Sequence, residues 1–101
     1  MIADVVYKDR RYYLMNEYGR ELCHGWESNL GMLMGFSGAM VVFLINRRYY
    51  VYDDRLKEIA HDWESSLGEF RSVSGNYVNF RLNKKIYTRD SHLREVSHRW
   101  E

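Results

Sequence analysis

The stretch that decides the fold is RRYYVYDDRLKEIAHDW, residues 47–63. It occurs twice more, as RRYYLMNEYGRELCHGW at 10–26 and, more weakly, as KKIYTRDSHLREVSHRW at 84–100. The copies lie 37 residues apart, and residues 10–46 match residues 47–83 without a gap at 16 of 37 positions. A fixed period of this length is typical of an architecture in which one supersecondary unit is stacked on copies of itself.

Each copy contains short runs rich in β-branched and aromatic residues, separated by polar turns. In the second copy, runs at 40–45 and 48–52 flank Asn46-Arg47, which predicts a β-hairpin. The segment 58–63 alternates like a strand, and a further run at 69–73 closes the unit. The pattern therefore predicts an all-β protein with four antiparallel strands in each 37-residue repeat.

A helix is the alternative for the segments that read Glu-x-x-His-x-Trp. In the second copy, apolar residues also recur at helical spacing, at Leu56, Ile59, Ala60, Trp63 and Leu67. The first copy counts against this helix, because Gly19 and Gly25 would lie inside it at a cost of about 1 kcal/mol each relative to Ala. Strand is therefore favoured. The alternative is an α+β chain of ββα-type units, with helices near 17–30, 54–67 and 91–101.

The segments YYVYDDRLKEIAHDW and IYTRDSHLREVSHRW resemble generic β-propeller blades of the pyrroloquinoline-quinone-repeat and WD-like kind. The resemblance extends over all copies as a pattern of strands and turns. The Trp lies further from the turn Asp than in the quinoprotein repeat, and no Gly-His or Trp-Asp dipeptide is present. It implies a four-stranded blade, and no family function is carried over from it.

We interpret the chain as a single repeat domain, 1–101, with repeats at approximately 1–37, 38–74 and 75–101. This amounts to 2.75 blades, from a first strand at 5–8 to a third strand that ends at Trp100. Propellers typically need four to eight blades to close. We therefore expect either a homodimer that forms a six-bladed ring or a piece of a longer chain. A three-repeat β-trefoil, which would close alone, is a further alternative.

The composition is that of a globular chain, with 46% hydrophobic and 29% charged residues. The single cysteine cannot form an internal disulfide, and the N-terminus lacks the features of a signal peptide. The longest apolar run, 39–45, is too short to span a bilayer. These features predict a soluble, cytoplasmic protein. The net charge of +1 counts against a polyanion as the main partner.

The candidate ligand-binding residues are repeated basic, acidic and indole side chains. In a four-stranded blade, the basic hairpin turn and the residue after the Trp should emerge on one face. Arg forks and carboxylates hydrogen-bond sugar hydroxyls, and an indole stacks on a pyranose ring. The competing interpretation is a ring of solvated charges with the Trp residues buried between neighbouring blades. The candidates are Arg11, Arg48, Lys85, Glu27, Glu64, Trp26, Trp63 and Trp100.

The remaining reactive side chains are interpreted as structural. His24, His61 and His98 occupy equivalent positions, and equivalent residues on a propeller do not converge on one ion. Cys23 aligns with Ala60 and Ser97, a position for small residues. We predict no metal, no cofactor and no catalytic constellation. Near-identical units provide several equivalent sites, which suits multivalent binding better than catalysis.

The functional prediction is a non-enzymatic binding module, either a protein-interaction scaffold that closes by homo-oligomerisation or a multivalent carbohydrate-binding lectin. Binding of nucleic acid or a phosphate ligand through the Arg/Lys doublets is a second alternative. Sequence alone does not separate the scaffold from the lectin.

Overall fold

The computed structural model describes all residues from 1 to 101 and folds them into three antiparallel sheets. The first sheet holds strands β1–β3, the second β4–β7 and the third β8–β11, each in the order of the chain. The strands are β1 (Asp4–Lys8), β2 (Arg11–Met15), β3 (Glu21–Trp26), β4 (Met32–Phe36), β5 (Val41–Ile45), β6 (Arg48–Tyr52), β7 (Glu58–Trp63), β8 (Glu69–Ser74), β9 (Tyr77–Leu82), β10 (Lys85–Arg89) and β11 (Glu95–Trp100).

Two four-residue helices, α1 (Glu27–Leu30) and α2 (Glu64–Leu67), connect the sheets. No helix of the chain has the length and apolar character needed to cross a bilayer. The all-β prediction is confirmed, and the three Glu-x-x-His-x-Trp segments are the strands β3, β7 and β11. The ββα alternative is wrong, because helix begins only after the Trp. The sheets form no closed barrel, so the β-trefoil alternative is also wrong.

The grouping of strands differs from the sequence interpretation in one respect. The run at 69–73 was expected to close the second unit, but it forms β8 and pairs with β9 as the first strand of the third sheet. A tight turn at Gly75-Asn76 joins these two strands, with Gly75 at φ 58°. The incomplete, three-stranded sheet is consequently the first one, and the third sheet has four strands.

The hairpin turns follow from local sequence. Both central residues of each basic turn have positive φ, which is the two-residue geometry that suits the twist of a β-hairpin. These turns are Asp9-Arg10, Asn46-Arg47 and Asn83-Lys84. In the next turn of each copy, the side-chain oxygen of an Asn or an Asp accepts hydrogen bonds from two backbone N–H groups, at 2.8–3.0 Å. These residues are Asn16, Asp53 and Asp90.

The sheets pack face to face and bury two apolar cores. Between the first and second sheets, the core contains Tyr12 and Leu14 of β2 and Val41 and Phe43 of β5. Between the second and third sheets, it contains Val42, Tyr49, Val51, Val78 and Phe80. Leu30 of α1 and Leu67 of α2 are buried in the respective cores, so each short helix also anchors the crossing to the next sheet.

The outer face of the first sheet, which points away from the second sheet, is polar. The equivalent faces of the second and third sheets, which pack on the preceding sheet, are apolar. Positions 41 and 78 are buried Val, and positions 43 and 80 are buried Phe. The first sheet has Asp4 and Val6 at these positions, and Lys8 where the other sheets have Ile45 and Leu82. Asp4 also uses its carboxylate to accept the N–H of Val5 at 2.8 Å, on an edge strand that no neighbour covers.

The outer face of the third sheet is polar as well. Asn79, Arg81 and Thr88 stand where the second sheet has Val42, Leu44 and Val51, which face the third sheet. The hydroxyl of Thr88 donates to the Asn79 oxygen at 2.6 Å, and the Asn79 amide donates to Ser72 Oγ at 3.1 Å. The two apolar cores therefore lie between two polar outer faces.

The crossing into the third sheet leaves no room for a side chain at Gly68. Gly68 has φ 100°, and a Cβ built there would lie 2.3 Å from the carbonyl oxygen of Arg81. We expect Gly68→Ala to lower the free energy of unfolding by about 3 kcal/mol, since left-handed strain and a backbone clash act together. Urea unfolding monitored by circular dichroism measures this change.

Gly75→Ala is the matched control for that substitution. Gly75 also has positive φ, but a Cβ there meets nothing within 4 Å. Only the conformational cost remains, so we expect a loss of about 1 kcal/mol. Equal losses at the two positions would contradict the close packing of β9 against Gly68.

Candidate functional site

The predicted basic and indole residues come together as three cation–Trp pairs. Adjacent strands place Arg11 opposite Trp26, Arg48 opposite Trp63 and Lys85 opposite Trp100. The guanidinium carbons of Arg11 and Arg48 lie 4.1 and 4.0 Å from the indole centroids, and the Lys85 ammonium lies 4.5 Å from its own. Cations at this distance are attracted by the ring quadrupole.

The strand register explains why these side chains meet. The N–H of Glu64 donates to the carbonyl of Arg47 at 2.8 Å, which makes residues 47 and 64 a hydrogen-bonded pair. The neighbouring pair, Arg48 and Trp63, is then non-hydrogen-bonded, and in such pairs the side chains are closer together. The same bond recurs from Glu27 to Arg10 and from Glu101 to Lys84, each at 2.9 Å.

The Trp residues are exposed, contrary to the interpretation that they are buried between neighbouring units. Trp26 and Trp63 are each 46% exposed, and Trp100 is 71% exposed. Each lies at the end of the last strand of its sheet, outside the two apolar cores. The space between the sheets is filled instead by residues such as Tyr12 and Tyr49, whose hydroxyls donate to the carbonyls of Gly31 and Gly68 at 2.9 Å.

The predicted acidic residues do not join these pairs with their side chains. Glu27 follows Trp26 directly, but its carboxylate accepts the hydroxyl of Tyr7 at 2.7 Å. The Tyr7 ring packs on Tyr12, whose side chain is on the opposite face of the sheet from Trp26. The hydrogen bond to Glu27 raises the pKa of Tyr7 above its ordinary value, with burial adding to the shift. Glu64 occupies the equivalent position at the start of α2.

Glu101, the third residue of this acidic set, pairs with arginines of the third sheet. Its carboxylate accepts a hydrogen bond from Arg81 and lies 3.9 Å from Arg71. The bond from Arg81 lowers the pKa of Glu101 below its ordinary value. The acidic residues lie beside the basic hairpins through their backbone hydrogen bonds, but the carboxylates of Glu27 and Glu101 contact Tyr7 and Arg81 and not the cation–Trp pairs.

A Tyr–His–Glu row lies next to each cation–Trp pair, and sequence reasoning missed it. The rings of Tyr13 and His24 are 5.3 Å apart, and His24 Nδ1 lies 2.8 Å from the Glu21 carboxylate. The corresponding ring distances in the second and third sheets are 5.0 and 5.6 Å, and the His–Glu distances are 2.8 and 3.0 Å. The other members of these rows are Tyr50, His61, Glu58, Tyr87, His98 and Glu95.

A β-bulge brings the His and the Glu together. Residues three apart on a regular strand point to opposite faces, but the register shifts by one residue next to Met15, Tyr52 and Arg89. The shift returns the Glu to the face of the His. The signal in the sequence was the repeated Glu-x-x-His spacing. No group of three or more His, Cys, Asp or Glu side chains in the chain is placed to hold a metal ion.

Cys23 is half-buried, and its Sγ lies 3.4 Å from the carbonyl oxygen of Asp54 in the second sheet. Burial, followed by the carboxylates of Asp53, Asp54 and Glu21, raises the pKa of the thiol from 9.0 to about 11. A thiol that resists ionisation is a weak nucleophile. The geometry is that of a small contact residue between the first two sheets.

A comparison with protein-family models found none that matches this chain. A comparison with curated proteins likewise gave no significant match.

The raised pKa of Cys23 predicts slow alkylation of the folded protein. At pH 9, half of the thiols of an unfolded chain would be ionised, against about one in a hundred at a pKa near 11. We expect iodoacetamide at pH 9 to react about 50-fold more slowly with the folded chain than with the chain in urea. Mass spectrometry of the labelled chain measures both rates, and similar rates would contradict the buried thiol.

Proposed function

We propose that this protein is a non-enzymatic binding module that holds its ligand on the three cation–Trp pairs. The observation that carries the proposal is the exposure of three large indoles at equivalent positions, each with an Arg or Lys beside it. Exposed aromatic side chains in repeated positions point to interaction surfaces rather than to core packing. The adjoining Tyr and His rings extend each pair into a broader aromatic strip.

Protein ligands suit this surface best. Trp, Tyr and Arg are the residue types that most often dominate the energetics of protein–protein interfaces. The indole and the guanidinium are already in contact, so less side-chain freedom is lost when a partner binds. Three copies of the pair on one chain allow several weak contacts to act together. A protein-interaction scaffold is therefore the leading assignment.

A carbohydrate-binding lectin is the second candidate, favoured by the exposed indoles, which are suitable platforms for sugar rings. The side-chain geometry weakens it, because the carboxylate of Glu27 turns to Tyr7 and that of Glu101 to Arg81. Binding of phosphate or nucleic acid through the basic doublets stays a prediction. The second member of each doublet is already paired with a Trp.

Closure of a partial propeller into a six-bladed homodimer is the assembly that the repeat predicts. It would place the outer face of the first sheet of one protomer against the outer face of the third sheet of its partner. The polar residues on both faces, including Asp4, Lys8, Asn79 and Arg81, make such an interface weak. The cytoplasmic location is a further part of this proposal and rests on the sequence composition.

Static light scattering tests the closed ring. The six-bladed ring requires a stable dimer, with twice the chain mass of 12.3 kDa, at micromolar concentration. In that dimer, Val6→Arg would insert a charge into the inter-subunit contact and shift the protein to monomer. A stable monomer for the unsubstituted chain at the same concentration would eliminate the ring while leaving the binding surface intact.

Replacing the indoles tests the binding surface. We expect Trp63→Ala to weaken ligand binding by about 10-fold or more, because hot-spot aromatics of interfaces contribute on this scale. A glycan array and a pull-down with the same bait separate the two candidates, since a lectin gives array signals and a scaffold gives a captured protein. The bound species is then titrated against the variant.

Tyr18→Ala is the control for that substitution. Tyr18 is 81% exposed but is paired with no cation, so its removal should leave the affinity unchanged. Equal losses for Trp63→Ala and Tyr18→Ala, or no loss for either in folded protein, would contradict a site on the cation–Trp pairs.

A further inference from the structure

The basic residues of the three hairpin doublets have no acidic partner within the chain. The carboxylates that follow two of the Trp residues are directed elsewhere, Glu27 to Tyr7 and Glu101 to Arg81. By contrast, Arg81 and Arg94 each form a salt bridge. None of the salt bridges of the chain includes a doublet residue, namely Arg10, Arg11, Arg47, Arg48, Lys84 or Lys85. These positive charges are therefore available to a partner.

The surface around these cations is open in the middle of the stack as well as at its ends. Trp63 belongs to the second sheet, which packs on a sheet at each face, and it is 46% exposed, as Trp26 is. The side chains of His24, His61 and His98 are each 48% exposed. The exposure is therefore a property of the repeat and not of the first or last sheet.

The cation–Trp pair of the second sheet shows what one such site offers. The guanidinium carbon of Arg48 lies 4.0 Å from the indole centroid of Trp63, and this contact holds the group in place without neutralising its charge. A guanidinium binds a carboxylate through two parallel N–H···O bonds. Arg48 therefore favours an acidic side chain, and the indole limits the freedom that the guanidinium loses when one binds.

A pair of stacked rings and then an acid follow this cation along the same face. Tyr50 is two residues from Arg48 on β6, so it lies on the same face about 7 Å further along. Its half-buried ring is stacked on His61 with the centroids 5.0 Å apart, and His61 Nδ1 lies 2.8 Å from the Glu58 carboxylate. The rings can cover an aliphatic side chain, whereas Glu58 repels a second negative charge. A continuous run of phosphates is disfavoured on this face.

We propose, building on the proposed function, that the partner contributes an extended acidic segment to these sites. A Glu or Asp of the segment binds the cation of a pair, and an apolar residue two positions away packs on the Tyr and His rings. Residues two apart in an extended segment point to one side and lie about 7 Å apart, which is the spacing of Arg48 and Tyr50. An Arg binds a carboxylate with better geometry than a Lys, so the sites at Arg11 and Arg48 bind more tightly than the site at Lys85.

An NMR titration that follows the three indole N–H signals tests the proposal, because each site contains one Trp. The probe is the peptide acetyl-Gly-Glu-Gly-Leu-Gly-amide, and its neutral match has Gln in place of Glu. We expect a dissociation constant of about 1 mM at Trp26 and Trp63, and weaker binding at Trp100. The neutral peptide should bind about 10-fold more weakly.

Three outcomes of this titration would overturn the acidic segment. The first is equal binding of the two peptides, which would leave the aromatic surface of the proposed function standing. The second is the absence of indole shifts with up to about 20 mM of the acidic peptide. The third is tighter binding of a ten-nucleotide oligothymidylate at physiological ionic strength, which would assign the sites to a polyanion.

Substitution in one copy uses the other two copies as internal controls. Arg48→Gln should weaken binding of the acidic peptide at Trp63 about 10-fold, while the signals of Trp26 and Trp100 respond as before and show that the variant is folded. Arg55→Gln removes a charge from an exposed residue outside the pairs and should leave all three affinities unchanged. Equal effects of the two substitutions would refute the site. A captured partner that is lost with Trp63→Ala but retained with Arg48→Gln would support the proposed function and exclude the acidic segment.

Discussion

The apolar contact between neighbouring sheets is the constraint on which the other features depend. Of the three sheets, the second is the one with two apolar faces. Val41 and Phe43 lie on one face, and Val42 and Val51 lie on the other. The second sheet is therefore the centre of the molecule, and the first and third cover it. Each sheet would expose an apolar face to water if its neighbour were removed, so the three units depend on one another.

The same packing places the repeated residues of the second strand of each copy on two different faces. The first Tyr of each Tyr-Tyr pair, Tyr12 or Tyr49, faces the next sheet and donates a hydrogen bond to the carbonyl of the glycine at the crossing. The residue before it on the strand faces the other way and meets a Trp on the adjacent strand. Because strand residues alternate between faces, adjacent positions in the sequence serve the core and the surface respectively. The exposed strip of cations and rings thus follows from the register that builds the core.

The third copy departs from the repeat on the face that points away from the second sheet. Ile86 stands where the first two copies have Tyr12 and Tyr49, and it is buried. On the same face, Thr88, Asn79 and Arg81 take the positions of aliphatic residues. Thr88 donates a hydrogen bond to Asn79, and Arg81 donates one to Glu101. The first copy departs on its own outer face, where Val6 takes the position of the buried Phe43 and Phe80. Departures from the repeat are therefore as informative as its identities.

The sequence by itself determined the repeat, the hairpins with their Asn- and Asp-led turns, and the position of Arg11, Arg48 and Lys85 beside the Trp strands, because these depend on contacts within a single repeat. It did not determine the grouping of β8 with the third sheet, the exposure of the Trp residues or the turning of Glu27 to Tyr7. Each of these depends on which face of a sheet another sheet covers. That is decided by packing between residues distant in the chain, as at Phe43 and Tyr12, 5.0 Å apart across two sheets. The bulges beside Met15, Tyr52 and Arg89 also changed which face a side chain occupies, since one extra residue returned each Glu to the face of its His.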